Sequence, residues 1–320
     1  MNVRTSEILF VKSVKDGIPN RDPLGESDAR RIFGEEDGRI SLSDVSIKRD
    51  VRDYVLAKYS DGGPGKRYFV FCREERRDDG KLLGRESLAK AILERAGRAD
   101  DKNARQALMK SAFDARTFGM VYSVKGDAGF HQTGPVQFGW AHSLHPVETK
   151  YVQGTVVMPS DEGRVTDQGE EGGKAQGTIW TTYTLPFAVF AMPAVINATI
   201  ADNTGMTEDD VELLLEGLWR GTLHRQARGR GFQQPVMMVH VEYSDPFFRI
   251  GYLEDRIRLS PDRDAWLGTR PPTSLNEVTL DISKLGQALK DCPKVARVRR
   301  WVNPETSIVG ELPGEVASTW

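Results

Sequence analysis

SDVSIKRDVRDYV, residues 43–55, sets two arginines, a lysine and three aspartates among five apolar residues. On an α-helix each residue turns by about 100° from the last. Ile47, Val51, Tyr54 and Val55 then share one stripe, the spacing of a helix buried on one side. Ser43 suits the cap, and Asp44 suits the positive end of the helix. Lys48, Arg49 and Arg52 line one flank, while Asp50 and Asp53 fall on the other side. Two readings stand open. The flank is a solvated face with helical ion pairs, Arg49 and Asp53 being correctly spaced for one, or it is a cationic face turned to an anionic partner. Composition by itself favours the first.

Working outward, EILFVKSV (7–14) reads as a strand before this helix, joined to it by a loop rich in Gly, Pro, Asn and Asp. KRYFVFCR (66–73) reads as a second strand, with Tyr68 and Val70 facing one way and Phe69 and Phe71 the other. Its aromatics would lie on an open sheet. Residues 85–115 are polar and helical; GMVYSV (119–124) and GPVQFGWAHSLHPV (134–147) read as strands. YVQGTVVM (151–158) and TIWTTYTL (178–185) read as a hairpin around nineteen Gly-rich and charged residues. TEDDVELLLEGLWRGTLHRQARG (207–229) is the clearest helix, with Thr207 and Asp210 in capping-box spacing, and PVMMVHVEYS (235–244) is a late strand. The pattern predicts an α+β chain: one elaborated ferredoxin-like, RRM-like domain over residues 1–320, with helical and hairpin insertions.

The chain has 320 residues, 39% hydrophobic and 28% charged, enough for a sizeable core. Its 44 basic residues against 46 acidic ones give a net charge of −2, so any nucleic-acid surface must be a segregated one. Cys72 and Cys292 stand far apart and form no metal or disulfide pattern. The twelve-residue apolar run 185–196 holds two prolines and is too short to span a membrane. With no signal-peptide pattern at the N-terminus, a cytoplasmic, non-membrane protein is expected.

Catalytic signals are sparse. GGPGKR (62–67) lacks the frame of a phosphate loop, and no Gly-x-Ser-x-Gly or HExxH occurs. His142 and His145, with His131, have the makings of a metal site only if the chain folds them together; polar side chains on a strand and its exit are the commoner case. Asp16, Asp22, Asp28 and Asp44 lie in or near the first loop, where carboxylates either bind Mg²⁺ or serve turns and caps. Two basic groups suit a phosphate backbone better: Lys48, Arg49 and Arg52, and Arg225, Arg228 and Arg230.

VKSVKDGIPNRDP and SLSDVSIKRDVRDYV resemble the N-terminal signature of the CRISPR-associated Cas seven family, the backbone subunit of type I Cascade complexes. FDARTFGMVYSV, TGPVQFGWAHSLHPV, WTTYTLPFAVFAMPAVIN and TGMTEDDVELLLEGLW continue the resemblance in order, and the type I-B branch is the most similar. Residues 255–320 carry no such signature. The resemblance implies an RRM-like palm, helical fingers at about 75–115 and a β-hairpin thumb at about 151–185. It implies an effector-complex subunit in antiviral defence, non-catalytic and without metal or cofactor. Copies would stack as a helical oligomer along one CRISPR RNA (crRNA), beside other Cascade subunits, leaving guide bases to pair with target DNA.

It further implies RNA contacts at Asn20, Arg21, Ser43, Lys48, Arg49, Arg52, Gln137, His142, Ser143, Arg225, Arg228 and Arg230. On the thumb, Val156 or Met158 would meet a displaced base and Lys174 a phosphate. Where the family's first loop usually reads Asn-Gly-Asp-Pro, this chain has Asn20-Arg21-Asp22-Pro23, and Ala29-Arg30 replaces a later Pro-Arg. Either the loop is shaped differently, since Gly serves backbone angles Arg dislikes, or Arg21 adds a phosphate contact. The alternative is a metal-dependent endoribonuclease like type III backbone subunits, which cut with a loop aspartate. A third, weaker reading is a stand-alone RNA chaperone.

Overall fold

The computed structural model describes residues 3–25, 28–122, 129–155 and 179–318. Strand β1 (Ser6–Lys15) and the short β2 (Ser41–Leu42) precede α1 (Asp44–Lys58). Helices α2 (Arg85–Arg95), α3 (Ala104–Ser111) and α4 (Phe113–Phe118) follow, then β3 (Gly119–Tyr122), β4 (Phe130–Thr133), β5 (Val136–Phe138) and β6 (Ala141–Ser143). The hairpin β7 (Lys150–Thr155) and β8 (Ile179–Thr184) leads into β9 (Phe187–Ile196), α5 (Ala198–Thr204), α6 (Glu208–His224) and β10 (Phe232–Tyr243). The C-terminal part holds β11 (Arg258–Ser260), α7 (Arg263–Leu267), β12 (Thr279–Asp281), α8 (Ser283–Asp291), β13 (Val295–Val302), β14 (Ser307–Val309) and β15 (Glu315–Val316).

The main sheet runs β15-β13-β10-β1-β9-β6-β2, with β5 also on β9. β1 lies between β9 and β10, antiparallel to both, so the apolar run 185–196 becomes a central strand. The stripe Ile47, Val51, Tyr54 and Val55 is buried, together with Ile8 and Phe10 of β1 and Leu214 and Leu218 of α6. Both long helices therefore cover one face of the sheet. They cross closely because α6 carries Gly217 and Gly221 where it meets α1. A Cβ on Gly221 would lie 2.4 Å from the backbone oxygen of Asp50. Glycine weakens a helix interior by about 1 kcal/mol, and here it permits that contact.

The other face is closed as well. Leu9 and Val11 of β1 and Met237, Val239 and Val241 of β10 pack with Leu253, Trp266, Leu280 and Leu285 of the C-terminal part. An open aromatic sheet over its whole width is thus not what forms. Nor is 66–73 a strand: Pro64–Lys66 is a single 3-10 turn, and only Phe69 makes an isolated bridge, to Ala112. The alternation still holds. Tyr68 and Val70 enter the main core, whereas Phe69 and Phe71 join Leu88, Ile92, Leu108 and Met120 in a separate cluster. The helical insertion accordingly owns a core and includes the β3–β4 hairpin beyond residue 115. The β7–β8 hairpin stands as its own two-stranded sheet, paired Lys150 to Thr184 through Thr155 to Ile179. No helix among the described residues is long and apolar enough to cross a membrane.

Candidate nucleic-acid interface

β1, α1 and α6 meet at Asp50. Its carboxylate is 1% exposed and accepts from three cations: Lys12 Nζ at 3.0 Å, Arg225 Nη1 at 2.9 Å and Arg230 Nη2 at 3.1 Å. Burial holds the Lys12 ammonium below the usual lysine range, and Arg230 and Arg225 push it further down against the pull of Asp50. Arg225 also donates to Ser46 O at 3.1 Å and lies 3.4 Å from Asp53. Arg230 also donates to Pro19 O at 2.7 Å, anchoring the first loop. Three cations thus face two carboxylates, Asp50 and Asp53, an excess of one positive charge. Such a site suits a further anion.

That loop is pinned beside it. Asn20 Oδ1 accepts from Ser43 N and Ser43 Oγ, both at 2.9 Å, and from Arg30 Nη1 at 2.7 Å. Asn20 therefore fixes the entry to α1. Arg21 donates to Tyr183 O at 3.0 Å and Gly229 O at 3.2 Å, joining the loop to β8 and to the segment after α6. Arg21 bridges to Ala29 as extended backbone and has no left-handed φ, so the loop does not require glycine there. Arg228 is exposed, its guanidinium 4.5 Å from the Trp180 ring on β8. Asn20, Arg21, Ser43, Arg225, Arg228 and Arg230 are thereby brought to one end of the sheet, at the base of the hairpin.

The flank of α1 is less uniform than the helical wheel implies. Lys48 is paired with Asp44 at 2.8 Å, and Arg49 with Asp53 at 2.6 Å, leaving Arg49 47% exposed. Arg52 turns inward to Asp114 at 2.8 Å and sits 5.2 Å from the Phe118 ring. Asp114 also accepts from Phe71 N and Cys72 N, so Arg52 ties α1 to the helical insertion. Asp50, placed by the wheel on an acidic side, is instead the buried centre of the cation cluster.

Gln137 is exposed on β5 and donates to Gly134 O at 2.9 Å. His142 bonds Ser41 Oγ at 2.8 Å and lies 4.5 Å from the Phe33 ring; burial, then Arg39, lower its pKa. Ser143 is 1% exposed and donates to His145 O at 2.7 Å, which makes it a strut of the strand exit. His145 is buried against Trp266, ring centroids 3.3 Å apart, while His131 is exposed on β4. Among the described residues no group of three or more His, Cys, Asp or Glu is placed to hold a metal. Asp22, Asp28 and Asp44 hold Leu24 N, Ala29 N and Lys48 respectively. Val156, Met158 and Lys174 lie outside the described residues.

Sequence reasoning missed Lys12, Asp50, Arg30 and Trp180. The signal for the first was present: a lysine at an inward position of an apolar strand requires a buried counter-charge.

Residues 4–283 match the family described as CRISPR-associated protein Cas7. The chain belongs to that family. It is 26% identical over 305 residues to the CRISPR-associated protein Cas7 of Haloferax volcanii, covering 89% of this chain and 82% of that one. Its fold is similar to that of a chain from a solved CRISPR RNA-guided surveillance complex in a pre-nicking state, with TM-score 0.58 and 14% identity, covering 98% and 96% of the two chains. A second CRISPR RNA-guided surveillance complex gives TM-score 0.53 at 14% identity, covering 96% and 95%. Family membership places the convergence around Asp50 in a Cas7 chain.

Proposed function

We propose that this Cas7 chain is a non-catalytic backbone subunit of a type I Cascade complex, most similar to type I-B, that binds crRNA and polymerises along it. In this reading the β1–β9–β10 sheet with α1 and α6 is an RRM-like palm. The α2–β4 insertion forms the fingers, and the β7–β8 hairpin is the base of the thumb. One observation carries it. The first loop, the start of α1 and the Arg225–Arg230 segment converge on a site where three cations meet the carboxylate of Asp50, with Asp53 beside Arg225. Arg49 and Arg228 stand exposed beside it. A phosphate chain laid across this end would meet Arg228 and Arg49 directly and gain from the surplus charge beneath. The protein handles backbone and shape, and the guide's own bases pair with target DNA.

The test is purification of the chain after co-expression with a CRISPR array. A discrete co-purifying RNA that holds several copies together is expected; RNA-free monomer would overturn the reading. Incubating the assembled complex with complementary RNA and Mg²⁺ tests the non-catalytic part. Cuts abolished by Asp22→Ala would make the subunit an endoribonuclease.

A further inference from the structure

The C-terminal part closes the second face of the sheet but stops short of one corner. There β1 and β10 are paired Ser13 to Gln234 and Lys15 to Phe232. These residues alternate with Val14 and Gln233, so they point away from the helices, toward the side that Leu275 helps to wall. Phe232, the first residue of β10, is 69% exposed, and Lys15 and Gln234 are exposed with it. Ser274, Leu275 and Asn276 rise opposite, with Gln226 and Glu305 at the rim, around a cavity of about 490 Å³. A slot of this size is in the range of small-ligand sites. It offers an aromatic face on a β-strand, carboxamides that both donate and accept, one ammonium and, at the rim, the carboxylate of Glu305.

The geometry points to this corner as a pocket for one unstacked nucleobase of single-stranded RNA. Aromatic residues on a sheet take bases by stacking, and amides reach their hydrogen-bonding edges. The corner begins one residue from Asp16 of the first loop and two residues from Arg230, so a strand held at that end passes its mouth. Phe232 stacks the base, Gln234 and Asn276 bond its edge, and Lys15 meets the adjoining phosphate. The inference rests on the RNA-binding reading above and adds a base contact to what is otherwise a backbone grip.

The experiment measures binding of the full chain to oligoadenylate and to an abasic oligoribonucleotide of equal length. Phe232→Ala is expected to weaken the first by about tenfold with its salt dependence unchanged, as loss of one stacked base does. It should leave the abasic strand unaffected, and Phe232→Tyr should restore binding. Equal loss on both strands, or loss on neither, overturns the pocket while leaving RNA binding intact. If the wild-type chain binds neither strand, the RNA-binding reading itself fails, and the pocket with it.

Discussion

Asp210 and Asp50 are both sealed carboxylates, and their cations come from different parts of the molecule. Asp210, at the start of α6, is 0% exposed and faces Arg116, 1% exposed, through bonds of 2.6 and 2.9 Å. It also closes the Thr207 capping box. Asp50 is as deeply buried, but two of its three partners, Arg225 and Arg230, keep side-chain exposures of 23% and 12%. The first arrangement joins the helical insertion to α6, and the 37% exposed Arg67 lies 3.5 Å from the same carboxylate. The second leaves positive potential at the surface. Two clusters of similar burial therefore differ in what they tie together: Arg116 meets Asp210 inside the core, whereas Arg225 and Arg230 also hold backbone at the start of α1 and in the first loop.

Breaking each cluster separates them. Asp210→Ala should be the most damaging change. It leaves Arg116 buried without a counter-charge and removes a cap, a loss of about 3–5 kcal/mol read by chemical denaturation. Saturating RNA should not repair it beyond the shift seen in wild type. Asp50→Ala should lose about 3 kcal/mol by the same logic, but here RNA should recover part of the loss, because phosphate can stand in for the carboxylate. If RNA rescues both variants equally, the contrast between the clusters is wrong.

A third sealed group tests burial without charge. His145 Nε2 accepts from Val189 N at 3.1 Å, so Nδ1 bears the proton toward Pro146 O, and burial lowers its pKa to about 4. The unfolded chain, with an ordinary histidine pKa near 6.5, takes up the proton first. Stability from this residue is therefore complete above about pH 6.5 and declines as pH falls toward 4, by about 2 kcal/mol at pH 5. His145→Gln should flatten that limb of the stability–pH curve; an unchanged limb would assign it to other groups.

On α1, Arg52→Ala should lower stability by about 1–2 kcal/mol, since Asp114 keeps its two backbone donors. Lys48→Ala, which removes a pair whose carboxylate, Asp44, is 35% exposed and can be solvated, should cost under about 1 kcal/mol. Equal losses would mean that Arg52 ties nothing to the insertion.

Much of the fold was legible. The 43–55 stripe, the capping box at Thr207 and the strands at 7–14 and 235–244 all follow from periodicity, because each element buries one regular face. What failed depended on partners distant in sequence. KRYFVFCR alternates like a strand, yet its two faces enter two different cores and it gains no ladder neighbour beyond one bridge. The closing of the sheet by residues 253–289 left no local mark. At the candidate site the cations at 225–230 were visible, but their convergence on Asp50 was not. It requires the close crossing at Gly221, and a helical wheel shows only which side a residue takes, not what lies there.

The central claim is that the end of the sheet beside Asp50 meets RNA phosphates. Arg228 tests it most directly, because it is exposed and its change leaves the buried cluster alone. The measurement is the affinity of the full chain for single-stranded RNA across a salt series, for wild type and Arg228→Ala. Weaker binding by the variant, with a log–log salt slope shallower by about 0.7, is predicted. An identical slope and affinity in the two proteins would contradict the account.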